Sequence, residues 1–324
     1  MSDTVSRRAF LAGAASALGG CVSSAPVRPV SRPDPLRFDA CPAQRSFSLL
    51  TWNVWLMPPW TGTSPRNEPR ARAIAAALLE RDFDIVCLQK VFDGGARDVL
   101  AEALCVRYPW RYGPANGGCS LLLNSGVWVL SKRPLADYRA IEFGECGNVE
   151  CFSRKGALLV SGTCGGMPFR LVGTHLQGEE GPRVTRTNQE IRDRQTAEIR
   201  RRVLDPISEP GVPLVVCGDF GTPRLSGDGR CETPAYERLL ATLGVENGAE
   251  VRITCADDRC LDDLAVDDTK SQNELDYVLV RANGSNLRVE RAVHRFTREG
   301  WDVGPHPRRD LSYHYALGAT FTFG

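Results

Sequence analysis

From residue 46 to the end of the chain, short apolar runs bounded by turn residues alternate with a few stretches of helical periodicity. The runs at 47–52, 85–89, 120–123, 127–131, 157–162, 169–174, 214–217, 275–280, 287–293 and 316–323 have strand length and composition, and are predicted as strands. Residues 68–81 carry Ala and Leu at helical spacing, and 188–203 place Ile191, Ala197, Ile199 and Val203 on one face; both are predicted as helices. Residues 96–104 and 234–243 are predicted as shorter helices. Many strands with few helices point to an α/β four-layer sandwich, two packed mixed β-sheets flanked by helices, rather than a doubly wound parallel sheet.

The polar residues fall at the ends of these runs. Asn53 follows Leu49-Leu50-Thr51-Trp52, Lys90 follows 85–89, His175 follows Leu171-Val172-Gly173-Thr174, and Asp219 follows Leu214-Val215-Val216-Cys217-Gly218. Asp276 opens Asp276-Tyr277-Val278-Leu279-Val280, and Ser312-Tyr313-His314 precedes the last strand. Polar groups set at strand ends are how a sheet scaffold assembles one shared cleft. Each residue also has an ordinary reading: Asn53 as a turn cap, Asp219 as a turn residue, His175 and His314 as structural histidines, Asp276 in an ion pair with an Arg, Lys90 reaching out to solvent. Trp55, Met57 and Trp60, just after Asn53, read either as core packing or as a rim that dips into a bilayer interface. Arg194, Arg200, Arg201 and Arg202 read as the solvated face of their helix.

The N-terminus changes the picture of where this domain works. Ser6-Arg7-Arg8-Ala9-Phe10-Leu11 leads into a short Ala/Gly-rich apolar stretch ending at Leu18-Gly19-Gly20-Cys21. Paired arginines ahead of a stretch too short to span a bilayer read as a twin-arginine export signal over residues 1–20. Cys21 then becomes the lipidated first residue, anchoring the chain to a bacterial membrane on its periplasmic or cell-surface side. Residues 21–45, with Pro26, Pro29, Pro33, Pro35 and Pro42, read as an extended tether. Residues 46–324 form one large domain, expected to be monomeric.

Removing residues 1–20 takes away Asp3, Arg7 and Arg8, so Lys+Arg falls from 40 to 38 and Asp+Glu from 39 to 38, a formally neutral chain. Neutrality argues against nucleic acid as a partner, because that affinity rests on many phosphate contacts. Twelve cysteines fit an oxidising compartment. Cys87 and Cys217 lie in apolar runs and read as inert buried thiols, whereas Cys146/Cys151 and Cys255/Cys260 lie close together in loop-like sequence and read as disulfides.

Taken in order, Thr51-Trp52-Asn53-Val54, residues 84–92, Gly173-Thr174-His175-Leu176-Gln177, Gly218-Asp219-Phe220, Leu275-Asp276-Tyr277 and Ser312-Tyr313-His314 resemble the endonuclease/exonuclease/phosphatase superfamily. That group contains deoxyribonuclease I, exonuclease III and the neutral sphingomyelinases, and the Thr-His-Leu-Gln motif is most similar to the bacterial sphingomyelinase C branch. The resemblance implies the deoxyribonuclease I-like fold, catalytic roles for His175, Asp219, Asp276 and His314, and a magnesium ion held mainly by a Glu and an Asn. Asn53 falls on that Asn, but Lys90 falls on the Glu, Gly221 on an Asn that orients phosphate, and Tyr313 on an acidic neighbour of the base His. A protonated Lys has three donors and no lone pair, and repels a divalent ion a few ångströms away by several kcal/mol at an effective dielectric of about 20.

No family-type metal site is therefore expected, Asn53 being the one ligand left. Asn53 and Lys90 remain as binding residues, Lys90 supplying one positive charge to a phosphate. The expected function is hydrolysis of phosphodiester bonds in phospholipid head groups, weakened by loss of metal ligands. The alternative is a non-catalytic protein that binds a phosphorylated ligand or a partner protein.

Overall fold

A computed structural model describes residues 45–61, 66–115, 123–178, 185–255, 273–303 and 307–324; the expected export signal, Cys21 and almost all of the expected tether lie outside them. The strands are β1 (Ser46–Leu56), β2 (Ile85–Val91), β3 (Trp110–Tyr112), β4 (Trp128–Ser131), β5 (Ala136–Glu142), β6 (Gly156–Cys164), β7 (Met167–His175), β8 (Leu214–Asp219), β9 (Asp276–Arg281), β10 (Leu287–His294) and β11 (Ala316–Phe323). They form a six-stranded sheet, β10-β11-β1-β2-β4-β3, and a five-stranded sheet, β5-β6-β7-β8-β9. Both sheets are mixed. Each has one parallel pair, β1 with β2 and β7 with β8, among antiparallel neighbours.

Period-two alternation divides each central strand between two cores. Leu49, Ile85, Cys87, Val215, Cys217 and Val278 face between the sheets. Their neighbours Leu50, Val86 and Leu88 face the helices α1 (Asn67–Arg81) and α2 (Gly94–Leu104). On the other side, Val172, Val216 and Leu279 pack with Ile199 of α3 (Thr185–Ile199) and with Leu239 and Leu243 of α4 (Pro234–Leu243). Helix, sheet, sheet and helix give the four layers the apolar pattern predicts.

Two strands went unforeseen. β3 has three residues, and β5 is an edge strand exposed over most of its length, so neither carries an apolar run. The strand expected at 120–123 falls mostly outside the described residues; Leu123 makes a single bridge to Ser153. The helix expected at 188–203 begins at Thr185, and its last turn, Arg200–Leu204, widens to π spacing. Arg194, Arg200, Arg201 and Arg202 do lie on the outside, with Arg194 paired to Glu145, Arg200 to Asp205 and Arg202 to Glu198, whereas Arg192 of the same helix is buried. Cys146 and Cys151 form a disulfide, with 5.1 Å between their Cα atoms. Cys260, the expected partner of Cys255, lies outside the described residues. Among the described residues, no helix is long and apolar enough to cross a membrane.

Candidate active site

The two parallel pairs deliver their carboxyl ends to one edge of the sandwich. β7 and β8 pair His175 with Asp219, and antiparallel β9 starts where β8 stops, so Asp276 lies opposite Asp219. β11 runs antiparallel to β1, which brings the segment before it, Ser312-Tyr313-His314, back to the end of β1. The Ser312 hydroxyl donates to the Asn53 carbonyl at 2.5 Å, and the Trp52 indole N–H to the His314 carbonyl at 2.9 Å. Topology thus gathers Asn53, Lys90, His175, Asp219, Asp276 and His314 at one edge of the sandwich.

The Asn53–Lys90 side is built on a bulge. Asn53 pairs with Gln89 and Leu56 with Val91, so Val54 and Trp55 together oppose Lys90. Trp55 and Lys90 both take left-handed backbone, φ 49° and 55°, a conformation that costs a side chain other than Gly about 1–2 kcal/mol. Gly126 makes room for it. A Cβ there would meet the Phe92 ring at 2.7 Å and the Lys90 Cα at 3.2 Å, while the Gly126 carbonyl accepts the Val91 N–H at 3.0 Å. Bulges of this kind re-aim side chains beside active sites.

Here the bulge sends the Lys90 ammonium to the Tyr313 hydroxyl, at 2.7 Å, and 5.2 Å from the centre of its ring. Lys90 is 4% exposed, so the reading in which it reaches out to solvent is overturned. Asn53 combines its two readings: Oδ1 caps the turn by accepting the Trp55 N–H at 3.1 Å, while Nδ2 donates to Asp219 at 2.8 Å and to the Tyr313 hydroxyl at 3.4 Å. Arg70, unremarked in the sequence, is wholly buried and donates to the carbonyls of Val54, Trp55 and Leu311, pinning the bulge to the segment that carries Tyr313.

The opposite side is a proton-transfer arrangement. His314 Nδ1 lies 2.6 Å from Asp276 Oδ2, and His314 Nε2 lies 3.8 Å from Asp219 Oδ2. Asp276 pairs with His314 and not with an Arg. Burial pushes the Asp276 carboxyl up to about 6, the His314 charge opposing it. Burial also weighs against a charged His314, but Asp276 and Asp219 outweigh it and raise the imidazole above its ordinary 6.5. Asp219 Oδ1 accepts the Gly221 N–H at 2.9 Å. At Gly221 φ is 55° and a Cβ would meet the Gln177 carbonyl at 2.8 Å, so the backbone supplies the polar contact where the resemblance implies a side chain.

His175 brings in two residues that sequence reasoning missed. Its Nε2 lies 3.2 Å from Lys155 Nζ and 3.7 Å from Asp219 Oδ2. Lys155 is buried, donates to Glu150 at 2.6 Å and to the Leu176 carbonyl at 2.7 Å, and Glu150 also accepts the Gly178 N–H. An ammonium can only donate, so Nε2 accepts and the ring proton sits on Nδ1, a buried atom with no hydrogen-bond partner. Burial, then Lys155, Lys90 and His314, hold the His175 pKa well below the ordinary value, so the ring is neutral near pH 7. The available signal was rarity, since the chain has four lysines among forty basic residues, and Lys155 immediately precedes a strand. Glu150 gave no signal.

These residues do not fit a magnesium ion at the Asn53–Lys90 position. Lys90 has no lone pair to offer, which leaves Asn53 Oδ1, with one of its two lone pairs already accepting the Trp55 N–H, as a single neutral ligand of this pair. Asp219, Asp276 and His314 do place ligand-type atoms within 4.8 Å of one another. Asp276 Oδ2 and His314 Nδ1 are committed to their mutual hydrogen bond, and of these three residues' carboxylate oxygens Asp276 Oδ1 is the buried one without a partner.

Residues 50–297 match the sequence profile of the Endonuclease/Exonuclease/phosphatase family. The chain is 27% identical over 326 aligned residues to a sphingomyelinase C of Leptospira interrogans, an alignment covering 92% of this chain and 55% of that protein, so it spans about half the relative's length. It is similar to the crystal structure of sphingomyelinase C from Streptomyces griseocarneus, with TM-score 0.71 and 25% identity over 85% of this chain and 99% of that one. It also has the fold of a Staphylococcus aureus beta toxin mutant solved with bound magnesium ions, with TM-score 0.71 and 20% identity over 85% and 99% of the two chains. With a sphingomyelinase-like phosphodiesterase fold and the family's profile over most of its length, this chain belongs to the endonuclease/exonuclease/phosphatase family.

Proposed function

We propose that the protein is an exported, lipid-anchored phosphodiesterase that hydrolyses phosphodiester bonds in phospholipid head groups, at a rate reduced by the altered metal position. The observation that carries this reading is the Asp276–His314 pair at 2.6 Å with Asp219 close by. Asp276 holds the imidazole so that Nε2 faces the Asp219 side of the cleft, where His314 takes a proton from a water attacking phosphorus. Asp219, tied to Asn53 and to the Gly221 N–H, is fixed in orientation for that water. Neutral His175 and Asn53 line the phosphate. The similarity to sphingomyelinases C favours a lipid over a nucleic acid, as does the neutral charge balance. A twin-arginine start and Cys21 support delivery to a membrane surface, with the enzyme acting as a monomer.

A second reading, a binding protein without turnover, draws on the Lys90–Tyr313 bond, which sits where the resemblance implies metal ligands. Purified protein is assayed with sphingomyelin and with phosphatidylcholine, in magnesium and in chelator. Release of the phosphorylated head group, abolished by His314→Ala, is the expected result. Inactivity in every condition, with substrate and metal in excess, overturns hydrolysis and leaves the binding reading.

A further inference from the structure

We infer that Thr254 is a positioning residue for the Asp276–His314 pair, a strut between the two sheets that sets how the carboxylate meets the imidazole. This rests on the general-base reading above and adds what holds the base in place.

The pair is a contact between two sheets. Asp276 opens β9 of the five-stranded sheet, and His314 precedes β11 of the six-stranded sheet. Ladder hydrogen bonds set distances within a sheet. The sheets themselves meet through apolar side chains, and such non-directional contact does not specify a separation of 2.6 Å. A directional link has to span the gap. Thr254, wholly buried and outside both sheets, is bonded to each side of it. Its hydroxyl accepts the N–H groups of Leu275 and Asp276, both at 3.0 Å. Its carbonyl accepts the N–H of Tyr315, the residue after His314, at 2.7 Å. The adjoining Cys255 makes an isolated bridge to His314 itself.

Donor counting gives the hydroxyl a further task. It has one proton and two lone pairs. The two backbone N–H groups use the lone pairs, which leaves the proton for the Asp276 carboxyl. Burial pushes that carboxyl up to about 6, and the His314 charge, with hydrogen bonds from His314 and Thr254, works against the rise. A carboxylate held in this orientation keeps the ring proton on Nδ1 and the lone pair on Nε2, the tautomer a base needs.

The strut stands on a firm base. The N–H groups of Thr254 and Cys255 both donate to the Asn273 carbonyl, at 3.0 and 2.9 Å. The buried Glu274 carboxylate accepts the Arg252 N–H at 3.0 Å and Asn247 Nδ2 at 3.1 Å, and pairs with Arg224. The backbone at Thr254 is thus fixed without its side chain, so replacing that side chain tests the hydroxyl and not the loop.

The test compares Thr254→Val, which keeps the branched shape without the hydroxyl, with Thr254→Ser, which keeps the hydroxyl. Sphingomyelin turnover gives kcat and KM. Proton NMR of the full chain follows the downfield resonance of the His314 Nδ1–H, identified by its loss in His314→Ala. Expected for Thr254→Val are a kcat lower by about tenfold to 100-fold, the range for a hydrogen bond to a charged group, an unchanged KM, and loss of the resonance. Thr254→Ser restores kcat and the resonance together. If near-UV circular dichroism shows Thr254→Val unfolded, Thr254→Cys carries the test, its thiol being a weaker partner, with kcat lower by about threefold to tenfold. A folded Thr254→Val with unaltered kcat and resonance overturns the inference, as do a loss confined to KM and a Thr254→Ser that recovers nothing. If the unaltered protein turns nothing over, hydrolysis falls and the resonance alone decides. Its loss in Thr254→Val and return in Thr254→Ser uphold the positioning role. Its persistence in both, or its absence from the unaltered protein, overturns it.

Discussion

The site has two walls of the same construction and different chemistry. Each comes from a parallel strand pair that ends at one edge, β1/β2 with Asn53 and Lys90, and β7/β8 with His175 and Asp219. On the second wall, ring nitrogens stand against carboxylates, with Asp276 and His314 at 2.6 Å. On the first, an ammonium bonded to a phenol occupies the place implied for a metal-binding carboxylate. The contrast teaches that strand register fixes where a side chain arrives, and the chemistry at that address can change while the backbone persists. The bulge at Lys90 makes this possible by isolating one residue from the ladder.

The largest effect separating the walls is expected from His314→Ala. Losing a general base lowers kcat for sphingomyelin by about 10²–10⁴-fold, while diester affinity, read by calorimetry, stays near that of the unaltered protein. An equal loss in both readouts would merge the two walls into one. Glu150→Ala tests the second wall's foundation. It removes the carboxylate from the buried Lys155–Glu150 pair, at a cost of about 3–5 kcal/mol in urea unfolding, with His175 displaced as a result. On the first wall, Gly126→Ala puts a Cβ into the Phe92 ring and into a φ of 71°. A loss of about 1–2 kcal/mol is expected, with weaker diester binding and an unchanged pH profile.

The smallest effect is a shift of that profile. Since Asp276 and Asp219 hold the His314 pKa above 6.5, activity falls as pH drops through a midpoint above 6.5, where the imidazole becomes charged and can no longer accept a proton. Asp276→Asn removes one of the anions favouring the charged ring, so the residual activity has its acidic midpoint at lower pH. A midpoint that does not move assigns the acidic limb to another group.

Much of this architecture was readable before any coordinates. Apolar runs of strand length gave nine of the strands, because a buried strand must alternate between two apolar faces and cannot hide that composition. β5 was invisible because its side chains stay in water. Every proposed site residue among the described positions reached the same edge, since a polar group ending an apolar strand has few other places to go. What could not be read was partnership. Nothing in residues 84–92 announces that Lys90 will meet Tyr313, because that contact is made by sheet order and by a bulge rather than by local spacing. Lys155 was missed for the same reason: its importance lies in His175 and Glu150, to which only the fold connects it.

The Cys146–Cys151 crosslink spans the turn Asn148–Phe152, and that turn carries Glu150. A loop so short contributes only about 2 kcal/mol to global stability by chain entropy, so its weight is local. Through Glu150 it reaches Lys155, and through Lys155 the imidazole of His175. The geometry of one wall of the cleft is thereby made conditional on thiol oxidation. A chain with these two thiols reduced holds this wall less firmly than one with them oxidised, and maturation of the site becomes a step that follows crosslinking.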